Sequence, residues 1–441
     1  MMSTTARRRK HRPPLELELR LEEWGARGAA TAHADGRRIV VDRGLPGELV
    51  LASVDRRQKP WRGVVEAVRE SAPERVEAPC PYYHRGCGGC QWQHVSYESQ
   101  VAFKRALVDR EMEYVGLSMR VAMAHAMDDP WRYRRTAAIA LGWEAGFRPR
   151  GRRGIVEIHD CAISHPAIGT LAHHLNLLLR SDRLPRYHGK VWLDCTVVGS
   201  DRHPGVQVVI QGIEGLTLES HPELPEVASA VGRLPGVVSV SFRHRSGEVH
   251  PLVGDLLNAI ELAGQDFWVP AGAFFQANVV MLERLLVRLA SVLSRRTVDL
   301  AADVYGGVGV FGLALAPQVG RMILIELDSS AVQAARRTAS DRGLNNVSFV
   351  SGHAERALPE LAVLDLAIVD PPRSGLGPVT VDALAAGNVQ TIAYVSCSPT
   401  SLARDLAALS QHGYTAETLE LFDFYPHTYH SECLTILNRA G

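Results

Sequence analysis

The period of the hydrophobic positions changes along this chain, and each period predicts a different architecture. Leu15-Glu-Leu-Glu-Leu-Arg-Leu21 alternates apolar and charged residues, as a strand with one buried face does. Residues 38–42, 48–54 and 63–68 follow as further short strand-like runs, with glycines between them. About four or five short strands in some fifty residues predict a small OB-like barrel over 14–70. Residues 97–116 carry Val101, Leu107 and Met112 at roughly helical spacing. Residues 131–265 are mixed, with strand-like runs at 191–198 and 205–210 and no evident chemistry. From about residue 266 apolar runs and amphipathic segments alternate. Strands are predicted at 297–304, 321–327, 347–351, 364–370 and 391–396, with helices between them, including 329–342 and 400–411. That alternation predicts a doubly wound, mostly parallel α/β sheet.

Charge refines this picture. The 441 residues carry no net charge, but residues 1–160 hold 28 Lys and Arg against 21 Asp and Glu, a balance of +7, and the remainder balances at −7. A basic amino-terminal third suits a polyanionic partner, although a solvated charged face plus a basic tail over 1–13 would give the same excess. No run of about eighteen apolar residues exists, so no membrane span is expected. The basic start lacks an apolar stretch after it, which predicts no secretory signal and a cytoplasmic protein.

Val298-Asp-Leu-Ala-Ala-Asp303-Val-Tyr-Gly-Gly-Val-Gly309 predicts a strand feeding a glycine-rich turn that a ligand can approach closely. Gly307, Gly309 and Gly312 stand in a G-x-G-x-x-G register, and Glu326 ends the next predicted strand, where a carboxylate can accept from ribose hydroxyls. Loop and acid specify an adenosine-type cofactor. A nicotinamide cofactor competes with S-adenosylmethionine if the loop is read alone.

Seven cysteines, an odd number, argue for metal or catalytic use rather than a disulfide framework. Cys80, Cys87 and Cys90 cluster, with Cys161 further on, and four thiolates can hold either zinc or an iron–sulfur cluster. Cys195 and Cys433 read as core residues. Cys397 stands at the end of a β-rich run, before Pro399 opens a helix. A thiol there occupies the strand end at which open α/β sheets bind ligands. Asp370-Pro-Pro-Arg373 follows another buried strand. It resembles the D/N-P-P motif of amino-adenine methyltransferases, but Arg373 stands where they place a stacking aromatic, which disfavours that class. Arg132, Arg134 and Arg135, with Trp131 and Tyr133, read either as phosphate and base contacts or as a plain charged strand.

Together Phe274-Phe-Gln-Ala-Asn278, the glycine loop, Asp370-Pro-Pro-Arg373, Ser396-Cys-Ser-Pro399 and Tyr425-Pro-His-Thr-Tyr-His-Ser-Glu432 resemble the RNA uracil-C5 (5-methyluridine) methyltransferase family. Two positions depart from the family pattern: Gly306 replaces a cysteine and Ser398 an asparagine. The resemblance covers essentially residues 15–441. It implies a Rossmann-like S-adenosylmethionine-dependent methyltransferase domain over 93–125 and 265–441. It implies an amino-terminal TRAM (OB-like) barrel over 14–70 and a mixed α+β central domain over 75–92 and 126–264. It assigns Cys397 as nucleophile and Glu432 as base. Gln276, Tyr305, Gly306, Gly307, Gly309, Glu326 and Asp370 would hold the cofactor, and Cys80, Cys87, Cys90 and Cys161 a [4Fe–4S] cluster. The implied substrate is RNA, ribosomal RNA first and transfer RNA second, with no membrane and no obligate protein partner. A non-catalytic RNA-binding assembly factor is the alternative of another class.

Overall fold

The computed structural model describes residues 14–212 and 215–440. The basic tail over 1–13 lies outside the described residues. The chain divides into two compact units. The first contains the residues up to Pro79, with Cys90–Gln100 and His427–Tyr429. Its six-stranded sheet covers Leu15–Arg20 to Trp61–Glu70. The period-two run pairs antiparallel with Leu49–Asp55, so Leu19 faces a core that also holds Ile39, Val41, Val50 and Val54. Glu48 is fully buried there because Arg75 Nη2 donates to it at 2.7 Å and the Leu45 amide at 2.9 Å.

The second unit contains two further sheets. In the nine-stranded one, Val191–Gly199 pairs with Thr136–Leu141 and Pro204–Gly212, both antiparallel. Leu193, Cys195 and Val197 alternate inward against the helix Pro166–Arg180, so Cys195 is a core residue. The eight-stranded sheet runs Val347–Ser351, Arg321–Glu326, Leu300–Val304, Leu366–Val369, Thr391–Ser396, Glu432–Arg439, Tyr414–Phe422, Met123–His125. Its first five strands are parallel and lie within the predicted runs. Leu366–Val369 and Thr391–Ser396 are buried at every position, which explains the apolar runs Leu-Ala-Ile-Val and Ile-Ala-Tyr-Val within them. The strand order reverses between Leu300–Val304 and Leu366–Val369, the point where such sheets bind ligands. The helix Tyr97–Tyr114 buries Val108 and Met112 in the same core as Leu384, Leu402 and Cys433.

Candidate active site

The glycine loop, Asp370 and Cys397 each follow a strand of the eight-stranded sheet at its carboxyl edge. Leu300–Val304 delivers Tyr305, which takes a left-handed backbone (φ 63°). Such a conformation costs about 1–3 kcal/mol in a non-glycine residue and tends to occur at functional turns. Its hydroxyl is fixed 3.0 Å from Thr380 Oγ1. Gly307 follows at φ +55° with open space where a side chain would stand, so its backbone is bare to the cleft. A Cβ on Gly306 would lie 2.8 Å from Leu324 Cγ and 3.0 Å from Asp303 Oδ2, so this turn has no room for the family's cysteine unless they shift. Glu326 accepts the Gly307 amide at 3.0 Å and the Asp328 amide at 2.8 Å, tying the loop to the next strand.

Thr391–Ser396 delivers Cys397, and Ser398 caps the following helix, Pro399–Gln411, by accepting from the Ser401 amide. Asparagine can cap in the same way, which accounts for the exchange. Ser396 pairs with Cys433 in the antiparallel ladder, so Cys397 and Glu432 project from the adjoining ends of two bonded strands. Glu432 is 1% exposed, and neither carboxylate oxygen has a hydrogen-bond partner among the described residues. Burial and the neighbouring Asp370 push its carboxyl well above the ordinary range, against the pull of Arg373. The Cys397 thiol is raised to about 11 by burial and by Glu432 and Asp370, while Arg373 lowers it by charge and a hydrogen bond. Asp370 is raised to about 7 by burial and by Asp303, opposed by a weak 3.4 Å hydrogen bond from Gln276 Nε2. Asn278 stands two residues after Gln276. The Asn278 side chain caps the helix Val279–Leu293 and donates to the Phe424 carbonyl at 3.0 Å.

These groups share one cleft of about 550 Å3, lined by Gln276, Tyr305, Gly307, Glu326, Asp370, Arg373, Cys397, Tyr425 and Glu432 among others. Gly306 and Gly309 shape its turn without lining it. Sequence reasoning gives Arg373 no role beyond disfavouring the amino-adenine class, yet its charge acts on Cys397, Glu432 and His430. Ser401 Oγ donates to the Arg373 carbonyl at 2.7 Å, and Asp405 accepts the Leu376 amide at 2.7 Å, pinning its loop to the Cys397 helix.

The three consecutive arginines separate. Arg132 pairs with Asp160 at 2.5 and 2.6 Å, and buried Arg135 pairs with Asp201. Arg134 donates to the Thr136 carbonyl, and its charge reaches Tyr425 and His430 at the cleft. Among the described residues no group of three or more His, Cys, Asp or Glu forms a metal site. Cys80, Cys87 and Cys161 nevertheless interact. The Cys87 thiol is raised to about 11 by burial, with Cys161 and Cys80 as negative neighbours. Thiols are the donors an iron–sulfur cluster takes, and these three lie within electrostatic reach of one another.

A glycine loop on the first parallel strand, an acid on the second and a thiol on the fifth define a Rossmann-like methyltransferase. Residues 257–440 match the tRNA (Uracil-5-)-methyltransferase family. The chain is 32% identical over 423 residues to the 23S rRNA (uracil(1939)-C(5))-methyltransferase RlmD of Chromohalobacter salexigens, covering 92% of this chain and 85% of that one. It is 28% identical over 445 residues to an uncharacterised RNA methyltransferase of Listeria innocua, covering 96% and 97%. The fold matches the Pyrococcus abyssi tRNA (uracil-54, C5)-methyltransferase in complex with S-adenosyl-L-homocysteine with a TM-score of 0.75. Sequence identity to it is 22%, over 95% of this chain and 99% of that one. The chain belongs to the RNA uracil-C5 methyltransferase family. Membership removes both the nicotinamide enzyme and the non-catalytic assembly factor. No helix among the described residues is long and apolar enough to cross a membrane.

Proposed function

We propose that this enzyme methylates carbon 5 of one uridine in large-subunit ribosomal RNA, with Cys397 as nucleophile and Glu432 as base. The observation that carries this is the pairing of Ser396 with Cys433, which sets thiol and unpartnered carboxyl side by side in the cleft. S-adenosylmethionine supplies the methyl group when bound, and Gln276, Tyr305, the Gly306–Gly309 turn, Glu326 and Asp370 would hold it. The Cys397 thiolate adds to carbon 6 of the uracil, which turns carbon 5 into a nucleophile. Once carbon 5 carries the methyl group, Glu432 takes its remaining proton, the carbon–sulfur bond breaks and the thiolate leaves. Arg373 steadies the thiolate at both ends of this cycle.

The six-stranded sheet is read as a TRAM-type RNA-binding barrel, followed by a central domain over 75–92 and 126–264 and the catalytic domain over 93–125 and 265–441. Cys80, Cys87, Cys90 and Cys161 would hold a [4Fe–4S] cluster. The ribosomal choice is supported by the 32% identical relative, whose name specifies 23S rRNA. The test offers purified enzyme and labelled cofactor to unmodified ribosomal and transfer RNA, and maps 5-methyluridine by mass spectrometry. Label in 23S rRNA is expected. Label only in transfer RNA would overturn the substrate and keep the chemistry, and no label in either would overturn both.

A further inference from the structure

The hairpin between Ala145–Phe147 and Val156–Glu157 lies at the edge of the nine-stranded sheet, far in sequence from the cleft motifs. Its connecting residues include Arg148, Arg150, Arg152 and Arg153 and no acid. No carboxylate pairs with Arg148, Arg152 or Arg153 among the described residues. Arg148 reaches across to the Gly189 carbonyl at 2.5 Å, joining the loop to the segment that carries Arg186 and His188. On that side Trp143 is 64% exposed. The Arg186 guanidinium lies 4.4 Å from its ring centroid, and His188 meets it edge-on at 6.0 Å. Arg186 also pairs with Asp182 at 2.6 Å, and the exposed Glu144 adjoins Trp143, so the tryptophan side is nearly neutral and the loop side is basic.

Leaving a tryptophan face in water forgoes burial of one of the largest apolar side chains, and clustering arginines without acids costs repulsion. A strand offering flat bases and phosphates together relieves both costs. We infer that Trp143, Arg186 and the arginines at 148, 152 and 153 form a second RNA contact surface, on which a base of a single-stranded segment stacks while its neighbouring phosphates meet the arginine loop. This rests on RNA being the substrate and assigns a grip on it that the cleft does not contain.

The test reads binding directly, with full-length enzyme and a single-stranded fragment of 23S rRNA, alongside methyl transfer. Base stacking on an aromatic side chain makes Trp143→Ala weaken binding by about tenfold or more, and Trp143→Phe should restore most of it. Arg152→Ser with Arg153→Ser should make the slope of log affinity against log salt shallower by about 1.4, two phosphate contacts at ~0.7 each. The KM for RNA should rise in all but the Phe variant, with kcat and the cofactor KM within about twofold of wild type. Unchanged RNA binding and salt slope in these variants would overturn the surface, even with methyl transfer intact. Weakened binding by an enzyme that methylates no RNA would support the surface and overturn the substrate reading instead.

Discussion

The ammonium of Lys104 lies 2.6 Å from Asp423, and both side chains are fully buried. The helix Tyr97–Tyr114 thereby holds the segment that runs into the active site, since Lys104 Nζ also donates to the Tyr425 carbonyl at 2.9 Å. Burial pulls the ammonium below its ordinary range, and the attraction of Asp423 opposes that. Removing one partner of such a pair leaves an uncompensated buried charge and costs about 3–5 kcal/mol. Lys104→Met should therefore lose about that much stability in urea unfolding, and Lys104→Met with Asp423→Leu should recover much of it. A single variant within about 1 kcal/mol of wild type would show that the pair does not hold the segment.

Lys104 and Asp423 are 319 residues apart, and no local pattern around either announces the other. Arg373 shows the same limit. It stands in a motif plain in the sequence, but its partner Cys397 lies on the next strand of the sheet, and only the fold brings them together. What was legible is what packing forces on local sequence. A strand covered on both faces is mostly apolar, so the Ile392–Val395 run betrays the place of Thr391–Ser396 and of the thiol at its end. Positions 306 and 398 were legible as departures from a pattern. Their reasons, a full space behind one and a helix cap at the other, were not.

In the proposed mechanism Glu432 acts after methyl transfer, so its loss should trap the enzyme late. Glu432→Gln keeps the shape of the buried side chain and removes its capacity to take a proton. A covalent protein–RNA complex should accumulate and survive denaturing electrophoresis, and Cys397→Ala should abolish it while cofactor binding remains. Normal turnover by Glu432→Gln would end the assignment of Glu432 as base.

The four cysteines make a prediction readable without activity. Enzyme purified without oxygen should be brown, with broad visible absorbance and about four irons per chain if the site is a four-iron cluster. Cys87→Ser should remove the colour. Colourless protein containing stoichiometric zinc and no iron would identify a different metal.

With its thiol raised to about 11, resting Cys397 is roughly one part in ten thousand thiolate at pH 7. The thiolate is the reactive form. Alkylation of Cys397 by iodoacetamide, followed on its own peptide by mass spectrometry, should thus accelerate about tenfold per pH unit from 7 to 10. The direction follows from the causes: burial and the acids Glu432 and Asp370 disfavour the thiolate, and Arg373 alone of the groups acting on it favours it. Arg373→Gln removes that support, so the titration should move upward and alkylation at pH 9 should slow severalfold. A merely structural arginine would leave the pH profile in place. A Cys397 rate that is flat with pH, or unchanged in Arg373→Gln, would mean that the thiol is activated in the resting enzyme by some other group.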